Sequence, residues 1–288
     1  MKILITGASS GFGSLFTKTL IDKGHTVVAS MRGVGGKNKE AAAAAKAKGA
    51  HVVEIDVTDE DSVNKGVAAA LDAVGGLDVV INNAGVGVIG LQETFTADDW
   101  KKQFDVNVFG VQRVNRAVLP HLREQGSGLL VQISSLLGRM VFPFLGPYNA
   151  SKFAVEALAE NYRVELSAFG VDSIIVEPGG YGTDFQGSLV PASDEQRAKS
   201  YGDFAHAPQQ MMSSFDESLR AEGAPDPQRV ADAVAELIDT PAGQRPFRTV
   251  VDDMGMAEAV QQLNAASEKV TESIYGAFEM SDMLKLKV

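Results

Sequence analysis

Seven short runs of apolar, mostly β-branched residues recur along the chain, and helical stretches separate nearly all of them. The runs are Lys2–Thr6, Thr26–Ser30, His51–Ile55, Leu77–Ile81, Leu129–Ser134, Asp172–Glu177 and Phe247–Val251. Between them the residue pattern predicts helices over Gly13–Lys23, Asn38–Lys48, Asp59–Val74, Ala97–Glu124, Gly146–Phe169 and Asp226–Ile238. Strand, helix and strand in succession close as right-handed units with parallel strands. This order therefore predicts one mostly parallel sheet with helices on both faces, an α/β fold. No linker or internal repeat divides the 288 residues, so a single domain spanning 1–288 is expected.

Two stretches stand outside that rhythm. Residues 186–223 lack a clean period and are rich in serine, methionine and aromatic side chains. Beyond Met254, apolar positions at Val260, Leu263, Val270 and Ile274 predict an amphipathic helix in a tail over 254–288. Elsewhere Asp98–Asp99 reads as a helix start, Asp252–Asp253 as a solvated loop and Trp100 as packing.

Composition narrows the chemistry. A formal charge of −11 makes a nucleic-acid partner improbable, because phosphates are held by cations. No run reaches the roughly eighteen apolar residues of a membrane span. A strand-like run begins at residue 2, so no signal peptide is expected, and a cytoplasmic protein is. With no cysteine, disulfides and thiolate chemistry are excluded. His25, His51, His121 and His206 have no ligand-like spacing, so no metal is expected.

The first strand runs into TGASSGFG, residues 6–13, and then a helix. Glycines at 7, 11 and 13 allow a tight turn and close approach of a ligand to the backbone. A helix N-terminus there offers free N–H groups to a pyrophosphate. An NAD site would place a carboxylate at the end of the second strand, for the ribose hydroxyl. Met31 stands in that slot and Arg32 follows it. A guanidinium binds a 2′-phosphate, so NADP(H) is the expected cofactor; the plainer reading makes Arg32 a solvated loop residue.

Tyr148 precedes Lys152 by four residues in YNASK. On a helix both side chains share a face, and an ammonium beside the phenol would pull its pKa down from about 10. That pair is a candidate acid/base without histidine; the plainer reading is an ordinary helix face.

Taken together, TGASSGFG (6–13), DVTD (56–59), NNAG (82–85), VNVFG (106–110), ISS (133–135), YNASK (148–152) and PGGYGT (178–183) resemble, in this order, the motifs of the short-chain dehydrogenase/reductase family. The resemblance covers Lys2 to about Val251 and is similar to the family's NADP-preferring oxidoreductase branch. It implies a Rossmann-type doubly wound sheet of about seven strands. By position it implies Tyr148 as acid/base, Lys152 as its partner, Ser135 as the active serine and Asn107 as the holder of a relay water. For the cofactor it implies Gly7, Ser9, Ser10, Gly11, Phe12, Gly13, Arg32, Asp56, Val57, Asn83, Ala84, Gly85, Pro178, Gly179 and Thr183, together with Tyr148 and Lys152. It also implies a substrate lid over about 184–223 and pairing of the helices at 97–124 and 146–169 across an oligomer axis.

The expected function is NADPH-dependent reduction of a ketone or aldehyde, reversible as oxidation of a secondary alcohol. Leu136, Phe142, Phe144, Leu145, Met211 and Met212 are candidate substrate contacts and favour a bulky, apolar small molecule; the plainer reading is packing of the lid onto the core. The alternatives are an NAD-dependent alcohol dehydrogenase of the same fold and a non-catalytic NADP-sensing module. Intact Asn107, Ser135, Tyr148 and Lys152 positions argue against the sensor, which needs no proton donor.

Overall fold

The computed structural model describes residues Met1–Val288. The elements run in chain order as β1 (Lys2–Ile5), α1 (Gly11–Asp22), β2 (Thr26–Met31), α2 (Lys39–Ala47), β3 (His51–Glu54), α3 (Glu60–Val74), β4 (Val79–Asn82), β5 (Val88–Ile89), α4 (Ala97–Phe104) and α5 (Gly110–Gln125). They continue as β6 (Gly128–Ile133), α6 (Gly146–Leu166), β7 (Val171–Pro178), β8 (Val190–Pro191), α7 (Glu195–Lys199), α8 (Ala207–Ser218), α9 (Gln228–Asp239), β9 (Arg248–Val251) and α10 (Ala257–Ala277).

The seven strands expected from the sequence form one parallel sheet in the order β3-β2-β1-β4-β6-β7-β9. The order reverses between β1 and β4, and a doubly wound sheet opens its crevice at that point, outside the C-terminal strand ends. Side-chain alternation gives each face its own core. Ile3, Ile5, Val27, Ala29 and Met31 pack with α1 and α9 residues such as Phe16 and Val234. Leu4 and Val28 point the other way, onto Val63, Val114 and Val118 of α3 and α5. Met31, only 2% exposed, is thereby committed to the core at the end of β2.

Three local features differ from the sequence reading. The single helix expected over 97–124 is interrupted by a π-helical turn at Asp105–Phe109, which rotates Asn107 inward; a one-residue bulge leaves no mark on apolar periodicity. Two-residue strands β5 and β8 pair in parallel as a separate ribbon, too short for a pattern to reveal. The tail does form α10, but its apolar stripe is not a core seam. Val260 is buried, whereas Leu263, Val270 and Ile274 are 48%, 58% and 50% exposed. Polar contacts hold the helix instead. Asn264 donates to Glu177 at 2.6 Å, Thr271 donates to Glu160 at 2.8 Å, and Glu268 pairs with Arg163.

Candidate active site

A cleft of about 540 Å³ opens at the reversal between β1 and β4. One end is made of backbone. Gly7 has φ +67°, and a Cβ there would lie 2.8 Å from Ala84 Cα, so only glycine lets the two loops touch. Thr6 Oγ1 accepts from the N–H groups of Asn83 and Ala84, and the Asn83 amide donates to the carbonyls of Thr6 and Gly7. The first and fourth strand ends are thus one hydrogen-bonded unit. Ser10 at the start of α1 makes no side-chain cap, which leaves the first-turn N–H groups directed at the cleft. This glycine cradle and uncapped helix end fit a dinucleotide's pyrophosphate.

Ser9, Ser10, Gly11, Phe12, Asp56, Val57, Gly85, Pro178, Gly179 and Thr183 line the same cleft with Gly7, Asn83 and Ala84, as expected. Gly13 does not; it lies behind the wall, where a Cβ would meet Gly7 O at 2.3 Å. Its absence of a side chain shapes the turn rather than touching a ligand. Arg32 lines the cleft together with Lys37 and Asn38, two residues the motif reading missed. Asn38 holds the loop by donating to Arg32 O at 2.7 Å. Burial pushes the Asp56 carboxyl up, but hydrogen bonds from Thr58 and the charges of Arg32 and Lys37 outweigh it and hold it below its usual range.

The other end carries side chains. Tyr148 and Lys152 sit on the first two turns of α6, and Ser135 follows β6. Lys152 Nζ donates to Ile133 O at 2.8 Å and lies 5.6 Å over the Tyr148 ring centroid. The expected downward pull on the phenol is therefore not found. The ammonium is engaged with a carbonyl and sits over the ring face. Tyr148 keeps part of its surface open to the cleft, yet burial raises its pKa to about 12 against a hydrogen bond with Ser135. Burial likewise lowers Lys152 to about 8, with the charge of Glu156 opposing.

Asn107 does not line the cleft and sits one layer back. Its Oδ1 accepts from Val86 N at 2.9 Å, and its Nδ2 donates to Val86 O and Ser151 Oγ at 3.0 and 3.1 Å. The side-chain amide is thus bonded on both sides within the protein. It ties the loop after β4 to α6.

Leu136, Phe142, Leu145 and Met212 line the cleft, but Phe144 and Met211 do not. Phe144 adopts φ +65° and turns to Phe204, with ring centroids 6.1 Å apart. Met211 precedes Met212 on α8 but does not reach the cleft. Phe185, Leu189, Phe215 and Met256 complete the apolar wall, and the Phe185 ring lies 5.4 Å from that of Tyr148. The lid is pinned to the body by the β5–β8 ribbon and by Ser193, which donates to Asp99 from both N and Oγ. Asp252 and Asp253 are not a solvated loop. Asp252 accepts from the N–H groups of Met256 and Ala257 at the start of α10, and Asp253 pairs with Arg229.

A doubly wound sheet, a glycine cradle at its reversal and a tyrosine–lysine–serine group beside it define an NAD(P)-dependent oxidoreductase. The short chain dehydrogenase family matches residues 1–194, and the chain belongs to that family. It is 33% identical over 242 residues to the oxidoreductase YusZ of Bacillus subtilis, covering 81% of this chain and 83% of that one. It is 38% identical over 183 residues to the 3-ketodihydrosphingosine reductase of Bacteroides thetaiotaomicron, covering 64% and 65%. A crystal structure of a short-chain dehydrogenase from Streptomyces avermitilis superposes with a TM-score of 0.76 at 29% identity, over 96% of this chain and 97% of that one.

Proposed function

We propose that the protein is an NADPH-dependent reductase of bulky, apolar ketones or aldehydes, acting reversibly on the matching secondary alcohols. The observation that carries this reading is the placement of Tyr148 and Ser135 as polar groups facing a wall of Phe142, Leu145, Phe185, Leu189, Met212 and Phe215. A pocket of this kind leaves a ligand's apolar body to the wall and its one polar atom to the hydroxyls. The Bacteroides relative is by name a reductase of a keto compound, 3-ketodihydrosphingosine, which supports a carbonyl substrate.

The nicotinamide, when bound, supplies the hydride. Gly7, the N-terminus of α1, Asn83 and Gly85 would hold the dinucleotide, while Arg32 and Lys37 favour one with a 2′-phosphate. Ser135 donates a hydrogen bond to the carbonyl oxygen as negative charge builds there. Tyr148 gives that oxygen its proton; a phenol raised to about 12 is fully protonated at neutral pH and is poised as a donor. Lys152, fixed by Ile133 O over the Tyr148 ring, would hold the nicotinamide ribose. Asn107 holds the Val86 loop and α6 in register, and the lid excludes water. Pairing of two copies through the α5 and α6 faces is supported by exposed Phe109 and Phe153.

The test is NADPH oxidation with long-chain, alicyclic and aryl ketones, with NADH in parallel and Tyr148→Phe as control. The expected result is turnover with NADPH that falls about a thousandfold in the variant while NADPH binding is retained. Tight NADPH binding without turnover of any carbonyl would leave a sensor in its place.

A further inference from the structure

Behind Lys152, away from the cleft, the fold buries a group of charges that the site does not use. Glu156 follows Lys152 by one turn on α6, so both face the same way. Its side chain is 3% exposed, and its Oε2 accepts from Arg248 Nε at 2.9 Å. Arg248, on β9 and 6% exposed, also donates to Glu160 at 3.1 Å and stands 3.8 Å from the fully buried Glu177 of β7. Arg139, after β6, contributes a further positive charge near Glu177. From α10 come neutral donors to the carboxylates, Asn264 to Glu177 and Thr271 to Glu160, and two further carboxylates, Glu268 and Glu272, which line a small cavity with Glu160, Arg163 and Arg248. Lys152, Arg248 and Arg139 thus share this region with Glu156, Glu160 and Glu177, and burial together with the charge of Glu156 pushes the Glu177 carboxyl up to about 7.

Holding β9 against α6 does not by itself call for these charges. A buried ion pair is often replaced by apolar residues of similar volume without loss of stability. The second oxygen of Glu156 gives the better account. Oε1 is buried and has no hydrogen-bond partner, and it is not turned to Arg248. It points to Gly138, where an added Cβ would lie 3.2 Å from it and 2.7 Å from Ser134 Oγ. Gly138 and Ser134 belong to the segment just after Ile133, whose carbonyl receives the Lys152 ammonium. One oxygen of the carboxylate is therefore locked by arginine, and the other lies beside Gly138, where it acts on the Lys152 ammonium as a charge rather than as a bonded partner.

We propose that Glu156 is a positioning residue for the Tyr148–Lys152 pair: its carboxylate, fixed by Arg248, is the counter-charge that holds the Lys152 ammonium beneath the cleft. The proposal rests on the reductase reading for its kinetic consequences, but not for its electrostatics. α10 closes the cluster from the outside through Asn264, which gives the C-terminal helix a part in the site although its apolar stripe remains exposed.

The sign follows from the charges. Burial disfavours the ammonium and Glu156 favours it. Removing the carboxylate lowers the proton affinity of Lys152. The alkaline limb of the reduction profile should then move to lower pH.

The experiment compares the full-length protein with Glu156→Gln and Glu156→Asp. Two readings are taken across neutral to alkaline pH. One is kcat for carbonyl reduction with NADPH; the other is the NMR titration of 13Cε-lysine, with Lys152 assigned by Lys152→Arg. Glu156→Gln should shift both downward by about one pH unit, with the carbonyl KM unchanged, and Glu156→Asp should restore part of the shift. In Glu156→Gln, Arg248 keeps Glu160 and Glu177 as partners, so this variant should stay folded. A Lys152 titration that stays in place in whichever of these variants folds would overturn the proposal. If the parent reduces no carbonyl, the reductase reading fails, and the NMR titration still decides the role of Glu156.

Discussion

The two ends of the cleft are built on opposite principles. At the β1–α1 end the walls are backbone. Gly7 lies against Ala84, Thr6 and Asn83 lock two strand ends together, and the first turn of α1 is left uncapped. At the lid end the walls are side chains from distant segments: Phe142, Phe185, Met212, Phe215 and Met256. A backbone wall admits one shape of ligand, because nothing in it can turn aside. A wall of methionine and phenylalanine has rotamers to spend and can follow an irregular apolar ligand. The chain thus joins a rigid half, suited to a cofactor of fixed structure, to an adaptable half suited to variable substrates.

Gly13→Ala is the most severe way to break that contrast. The new Cβ would fall 2.3 Å from Gly7 O, 2.7 Å from Asn83 Nδ2 and 2.9 Å from Ala8 Cα, two of them backbone atoms. Overpacking of this kind costs about 1–3 kcal/mol, and relief requires opening the turn. We expect a melting point several degrees lower and NADPH affinity reduced by about a hundredfold, read by thermal denaturation and by fluorescence titration. Affinity at the parent level would mean that the turn yields, and the rigid half would not be rigid.

Arg32→Ala probes the same half at its one side-chain margin. Met31 is only 2% exposed, and the cations at this edge of the cleft are Arg32 and Lys37, the partners that the proposed reading gives a 2′-phosphate. A hydrogen bond to a charged group contributes about 1.5–3 kcal/mol, which converts to about 10–100-fold in affinity. NADPH binding should weaken by that factor and NADH binding should not change. An equal loss for both cofactors would assign Arg32 to the loop's structure rather than to phosphate recognition.

The contrast also explains what could be read from the sequence. The seven sheet strands were legible because buried parallel strands are apolar on both faces, and TGASSGFG was legible because glycine is the only solution to its crowding. Tyr148, Ser135 and Lys152 follow from motif spacing and meet in the cleft. The lid wall was legible only in part. Phe144 and Met211 have the same character as Phe142 and Met212, and local backbone direction alone separates them. The Glu156–Arg248–Glu177 cluster was invisible, because a charge on a helix reads as solvent-facing until the strand opposite is known. Its single sequence signal is the four-residue step from Lys152 to Glu156, which repeats the step from Tyr148 to Lys152.

The lid's attachment gives the smallest expected effect and the finest test of adaptability. Asp99 Oδ2 accepts from Thr96 N and Oγ1, each at 2.9 Å, and from Ser193 N and Oγ at 3.2 and 2.7 Å. One carboxylate oxygen therefore caps α4 and holds the lid just after β8. Burial raises the Asp99 pKa, but the hydrogen bonds from Ser193 and Thr96 outweigh it, and the net shift is downward. A carboxyl lowered in the folded state adds stability above its unfolded pKa. That stability is lost as pH falls through the lower folded value, so the lid should stay attached throughout the neutral range and loosen only in acid. Asp99→Asn keeps the shape and one carbonyl acceptor but removes the charge that strengthens these four hydrogen bonds. We expect faster proteolysis within residues 186–223, a KM for bulky ketones raised by about threefold, and NADPH affinity unchanged, for a local cost of about 1–2 kcal/mol. The selective rise in KM would follow from a lid that adapts to substrate while the dinucleotide half stands apart from it. Were NADPH affinity to fall in step with KM, the two halves would be mechanically one.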